Sequence, residues 1–384
     1  MSHHKTSASY WLSLFLTLCL SFTTTTVASA DDVKLSFVFL GCNRIQHKDW
    51  KIIQKDDPSS ANLPQLKQTF TDIAGLKQKP SMLFFTGDLV LNLADDDGTT
   101  LKGQLDAWAD LYKKSPINGK LRLVPFTGNH EVLRKLKEED DEEVPNKHCG
   151  PVFTKWLKKS GFDTFANAAN GPTAGHPKDD HLVDDQSELT YSFDVGDIHF
   201  VVINTDTLSD VVDPKTKHPY AGWIPYNWIE KDVEAAQANK KTSAIFLLGH
   251  KPIQRHPHHE EDAIVNEGDY KLGNKLVKLF AANDKVRAYL CAHEHLWQCD
   301  TFDKAPKVYQ VIAGNGGSQL NSKWKPNGGT FYGFSQINVY ASGKVGLTNY
   351  KRALPPPPQK YFEGTPVAPK PALPDPEQVL FSGS

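Results

Sequence analysis

Short, continuously apolar segments alternating with amphipathic stretches constrain this chain more than any other feature. Residues 35–40 (LSFVFL), 82–86 (MLFFT) and 121–127 (LRLVPFT) read as strands of the buried type. Between the first two, Asn62 offers a helix cap and Pro64 suits a first turn, while Leu66, Phe70, Ile73 and Leu76 recur at helical spacing. Leu101, Leu105, Trp108 and Tyr112 mark a second helix before the third strand. The resulting β-α-β-α-β plan predicts a layered α/β fold. Pro125, inside the third segment, points to an edge strand or an irregularity.

Residues 189–195 and 198–203 flank Gly196-Asp197, which predicts a hairpin. Helices over 228–238 and 272–282 each precede a strand, at 244–248 and 286–291. Strands then dominate, at 308–313, 331–340 and 345–350. Six consecutive acids at 138–143 read as a solvated loop, and nine prolines between 355 and 376 predict an extended tail over 353–384. At the other end, the apolar run 10–20 and the small residues Ala28-Ser29-Ala30 read as a secretory signal peptide, residues 1–30. That run falls short of the roughly 20 residues a membrane span takes. The expectation is a secreted or periplasmic protein with one domain over 31–352 and no membrane attachment after cleavage. Export would place Cys42, Cys149, Cys291 and Cys299 in an oxidising compartment, where three full pairings are open. With 43 Lys+Arg against 45 Asp+Glu, no charge excess recommends a nucleic acid or an anionic surface as partner.

Polar clusters follow the expected strands: Gly87-Asp88, Gly128-Asn129-His130-Glu131, Gly249-His250 and His293-Glu294-His295. Strand ends at one edge of an α/β sheet converge on a crevice. There these clusters would bring together a carboxylate, an amide oxygen and several imidazoles, a mixed donor set suited to Mn, Fe or Zn. Glycine before three of the clusters would let the backbone turn sharply and carry each ligand inward.

In order, FFTGDL, PFTGNHE, LLGHKPI and CAHEHLWQ resemble the motif series of the calcineurin-like metallophosphoesterases, of the purple acid phosphatase type. The resemblance runs from about residue 35 to 351. It implies a four-layer sandwich of two stacked mixed β-sheets flanked by helices. It further implies one or two divalent transition metal ions: Asp88 bridging two positions, Asn129, His250 and His293 completing one, and His295 serving the other. A small phosphate mono- or diester would be hydrolysed by metal-bound hydroxide, with His130 assisting the leaving group and Glu131 orienting His130. The first motif departs from the pattern. Where the family carries Asp-x-His this chain has Gly41-Cys42-Asn43-Arg44. Aligned by strand end, Cys42 takes the Asp place and Arg44 the His place; a one-residue slip would offer Gly41 and Asn43 instead. Cys42 is then either a thiolate ligand or a buried thiol or half-disulfide. Arg44 either contacts a phosphate or pairs with acids. The alternative to an enzyme is a degenerate, non-catalytic metal- and ligand-binding protein on the same scaffold.

Overall fold

A computed structural model describes residues 32–45, 62–136, 142–254, 263–318, 320, 329–352 and 370–383. The expected signal peptide, most of the acidic run, the histidines at 256, 258 and 259, and residues 353–369 lie outside them. In chain order the elements are β1 (Val33–Leu40), α1 (Asn62–Gly75), β2 (Met82–Thr86), α2 (Thr99–Lys113), β3 (Arg122–Phe126), α3 (Asn129–Val132), β4 (Leu133–Lys135), β5 (Glu143–Pro145) and α4 (Cys149–Ser160). There follow β6 (Tyr191–Val195), β7 (Ile198–Ile203), α5 (Tyr226–Ala238), β8 (Ala244–Gly249), α6 (Leu272–Ala282), β9 (Val286–Cys291), β10 (Trp297–Phe302), β11 (Ala305–Ala313), β12 (Tyr332–Tyr340), β13 (Val345–Arg352), β14 (Leu373–Pro374) and β15 (Gln378–Phe381).

Two mixed sheets form. One runs β14-β13-β12-β1-β2-β3 with β15 also on β13, the other β10-β11-β9-β8-β7-β6. β1, β2 and β3 are parallel, as are β7, β8, β9 and β11, while antiparallel strands fill the remaining positions. Pro125 sits on the edge strand β3, where its missing N–H costs no ladder bond.

The sheets stack through aromatic side chains. Phe37 of β1 meets Phe84 of β2 and, across the gap, Phe200 of β7 and Phe246 of β8, with ring centroids 5.3–5.4 Å apart. Strand alternation sends the opposite faces outward. On the first sheet Phe85 packs edge-on against Trp108 of α2 at 5.1 Å. On the second, Val201, Ile245 and Leu247 join Ile229 and Val233 of α5 and Leu276 of α6 in a separate apolar cluster. This gives helix, sheet, sheet and helix layers, the expected α/β sandwich.

Two expectations need correcting. Residues 149–160, for which the sequence pattern gave no element, form α4, whose Phe153, Trp156 and Leu157 are buried. The tail expectation also fails at its far end, where β14 and β15 pair antiparallel with β13. Residues 378–381 carry no proline, and Pro374 lies on an edge where a donor can be spared. The buried carboxylate of Asp72 on α1 anchors this region: one oxygen accepts both Arg352 Nη2 at 2.9 Å and the Ala372 N–H at 3.0 Å.

Candidate metal centre

The C-terminal ends of β1, β2 and β3 meet those of β8 and β9, and the short loops leaving them are held in unusual backbone states. Cys42, Arg44, Asp88 and His293 all adopt positive φ, between 55° and 68°. Such conformations cost a non-glycine residue about 1–2 kcal/mol each and concentrate at functional sites. The first loop lies along the second: Asn43 and Arg44 both donate their N–H to the Asp88 carbonyl, each at 2.9 Å. Gly87 does turn sharply, at φ 83°, as the sequence led us to expect. Gly128 serves differently. It has an extended backbone, and a Cβ there would lie 2.4 Å from Asp88 Oδ1, so glycine is needed for close approach instead of for the turn.

His250 is the hub of one donor group. Its Nε2 lies 3.1 Å from Asp88 Oδ1, 3.1 Å from Asn129 Oδ1 and 3.2 Å from His293 Nδ1. Asn129 Oδ1 and His293 Nδ1 are themselves 3.2 Å apart. Two bonds fix which atoms face inward. Nδ1 of His250 is 2.7 Å from the Thr86 carbonyl, which can only accept, so Nδ1 bears the proton and Nε2 presents its lone pair. Asn129 Nδ2 donates to Glu143 Oε2 at 2.8 Å, which turns the amide oxygen toward the histidines. Lone pairs at such distances repel unless a proton or cation lies among them, and the donor set suits a first-row divalent ion. Burial disfavours the charged His250, but Asp88 outweighs it and raises its pKa, so a proton can hold the cation's place.

Asp88 is fully buried. Burial opposes its charge, yet His250, His130 and Arg44 around it hold the carboxyl well below the usual range. Its second oxygen faces a different neighbourhood. Arg44 Nε donates to Oδ2 at 3.0 Å. Cys42, Asp88 and His295 each offer a ligand atom, all within 4.8 Å of one another. This grouping agrees with the strand-end alignment of the first loop, and Asn43 Nδ2 donates to the Gly316 carbonyl at 3.4 Å. Cys42 is a buried free thiol, as Cys149 and Cys291 are, and no disulfide joins the four cysteines. Burial, reinforced by Asp88, pushes the Cys42 thiol pKa well up, and the His293 N–H donates to its sulfur at 3.1 Å.

His130 donates Nδ1–H to the Leu91 carbonyl at 2.9 Å, leaving Nε2 3.9 Å from Asp88 Oδ2. Glu131 does not orient it, contrary to expectation. Its carboxylate accepts the backbone N–H groups of Asp88 at 2.9 Å, Val90 at 3.1 Å and Gly128 at 2.7 Å, clamping two of the loops together. Burial, with the Asp88 charge, pushes the Glu131 carboxyl up to about 8. Arg44, Asn129, His130, Lys251 and His293 open onto a cleft of ≈ 1100 Å³. Lys251 pairs there with buried Asp206 at 2.9 Å. Glu143, which orients Asn129, went unrecognised inside the acidic run; nothing in its spacing marks it, since the contact spans 14 residues.

The calcineurin-like phosphoesterase profile matches residues 45–296, from just beyond the altered first loop to the end of the last motif. The chain belongs to that family. Among the family's proteins, it is 24% identical over 284 residues to one named "Probable inactive purple acid phosphatase 9" from Arabidopsis thaliana. That match takes in 69% of this chain but 38% of the relative, so the chain spans little more than a third of its length. A purple acid phosphatase from yellow lupin (Lupinus luteus) seeds superposes with TM-score 0.53 at 17% identity, over 84% of this chain and 52% of that one. A dimetal phosphatase from Danio rerio gives 0.50 at 11% identity, over 83% and 96%. At such identities the two structures speak for the fold alone. The family scaffold for metal binding is present, with a partial cluster at Cys42, Asp88 and His295.

Proposed function

We propose that this chain is an exported, non-catalytic metal- and phosphate-ester-binding member of the family. One ion would be held by Asp88, Asn129, His250 and His293. The observation that carries this reading is the Arg44 guanidinium on Asp88 Oδ2, 3.0 Å away, on the side where the family's second ion would share that carboxylate. An arginine supplies positive charge there, but unlike a metal it cannot activate a water. A divalent ion in the His250 group would supply a positive centre for a phosphoryl oxygen. The remaining recognition falls to the chain. Arg44 and Lys251, the latter paired with Asp206, line the cleft as cations, and His130 there would donate Nε2–H to an ester oxygen once its ring is protonated. Residues 1–30 support export, and among the described residues no helix is long and apolar enough to cross a membrane.

The second reading, an active phosphoesterase, draws on His130, whose Nδ1 bond to Leu91 leaves Nε2 on the Asp88 side, where the imidazolium form would carry the proton a leaving group needs. Elemental analysis with a hydrolysis screen over aryl phosphate mono- and diesters separates the two. We expect one ion per chain when the protein is loaded with Mn²⁺ or Fe²⁺, metal-dependent binding of inorganic phosphate, and no turnover. Hydrolysis that a chelator abolishes and added metal restores would establish the enzyme reading instead.

A further inference from the structure

The two oxygens of Asp88 face different chemistries. Oδ1 belongs to the His250 group, while Oδ2 looks toward Arg44, near the Cys42 sulfur and the His295 ring. We propose that Cys42, Asp88 and His295 form a second metal site of altered character, selective for a thiophilic divalent ion such as Zn²⁺ and closed to hard ions. This deepens the reading above, in which Arg44 on Asp88 Oδ2 excludes a hard second ion, by asking what a soft ion would do at the same oxygen.

Three donors of three types lie within 4.8 Å of one another, so a small inward shift would bring them to the separations that zinc bonds of about 2.0–2.3 Å to oxygen, nitrogen and sulfur require. The His250 group offers only oxygen and nitrogen, whereas Cys42 brings sulfur to this one. The His293 N–H aimed at the Cys42 sulfur is a bond that orients and stabilises a ligating thiolate. Arg44 makes the site selective. Its guanidinium already neutralises Oδ2, so an incoming ion must displace it and also take the thiol proton's place. A soft ion gains a metal–sulfur bond in return. Mg²⁺ or Mn²⁺, which favour oxygen ligands, gains little and leaves Arg44 where it is.

Titration of the metal-free full chain with Cd²⁺, a spectroscopic stand-in for Zn²⁺, tests this. We expect two equivalents bound, one of them bringing up the ultraviolet thiolate-to-cadmium charge-transfer band. Cys42→Ser should bind one equivalent and show no band. His250→Ala should keep the band and lose the other equivalent, and Mn²⁺ should load one equivalent in both wild type and Cys42→Ser. A Cd²⁺ stoichiometry and absorption unchanged by Cys42→Ser would overturn the proposal, as would a second Mn²⁺ lost with Cys42. A thiolate band in a wild type whose His250 group takes no ion would instead overturn the single-ion reading and leave this one standing.

Discussion

Asp88 is reached by a different cation from each side, so the identity of two neighbouring residues decides what it can do. If Arg44 is what closes the second position to hard ions, restoring the family's ligands should reopen it. The double change Cys42→Asp with Arg44→His is expected to add a second equivalent of Mn²⁺ and to raise aryl phosphate hydrolysis about 10²-fold or more above the parent. Cys42→Asp alone should not, because Arg44 would still sit on Oδ2. Initial rates and elemental analysis on the three proteins check this. At this scale the sequence was legible wherever a candidate ligand follows a strand directly: Asp88, Asn129, His250 and His293 meet, as their places at strand ends and the family resemblance implied. Legibility failed where side-chain direction mattered. Adjacency suggested that Glu131 serves His130, but one residue of offset in a helical turn swings it by about 100°, onto backbone amides. The Cys42 thiol was equally ambiguous, since nothing local reveals that a loop some 250 residues away brings His293 and His295 beside it.

Elements were easiest to read where periodicity and breakers agreed, as for α1, α2, α6 and the β6–β7 hairpin. α4 was missed despite Phe153, Trp156 and Leu157 at helical spacing, because the acids before it suggested a solvated excursion. One tie between elements has a measurable signature. His199 of β7 bridges Asp194 of β6 at 2.7 Å and Asp232 of α5 at 3.0 Å. Burial lowers its pKa, but Asp232 and then Asp194 outweigh that, and the net direction is upward. Between the ordinary value, about 6.5, and the raised folded value, the folded chain binds more protons than the unfolded one. Stability from this group is therefore full below the ordinary value and is lost as pH rises through the folded one. His199→Gln should cost about 1–2 kcal/mol at mildly acid pH, with the difference shrinking toward alkaline pH. Urea midpoints of both proteins across that range check it; a gap that widens with pH would contradict the bridge.

For the whole molecule, the candidate ligands come from loops of both sheets, so the distance between the sheets sets the distance between those side chains. Phe37 touches Phe84, Phe200 and Phe246 at that seam. Phe37→Ala should cost about 3–5 kcal/mol and weaken metal binding without touching a ligand, as paired urea and metal titrations would show. The layered architecture followed from the strand–helix alternation; the fate of the C-terminal end did not, because proline content describes what a segment cannot do alone, not what edge it can borrow. That end has a topological consequence. Arg352 and Ala372 arrive at the same oxygen of Asp72, so the chain between them departs and returns at a single point. Lengthening that excursion would burden folding only through closure entropy, which grows logarithmically. A cut within it would leave Arg352 and Ala372, one on each side of the break, still bound to the same carboxylate.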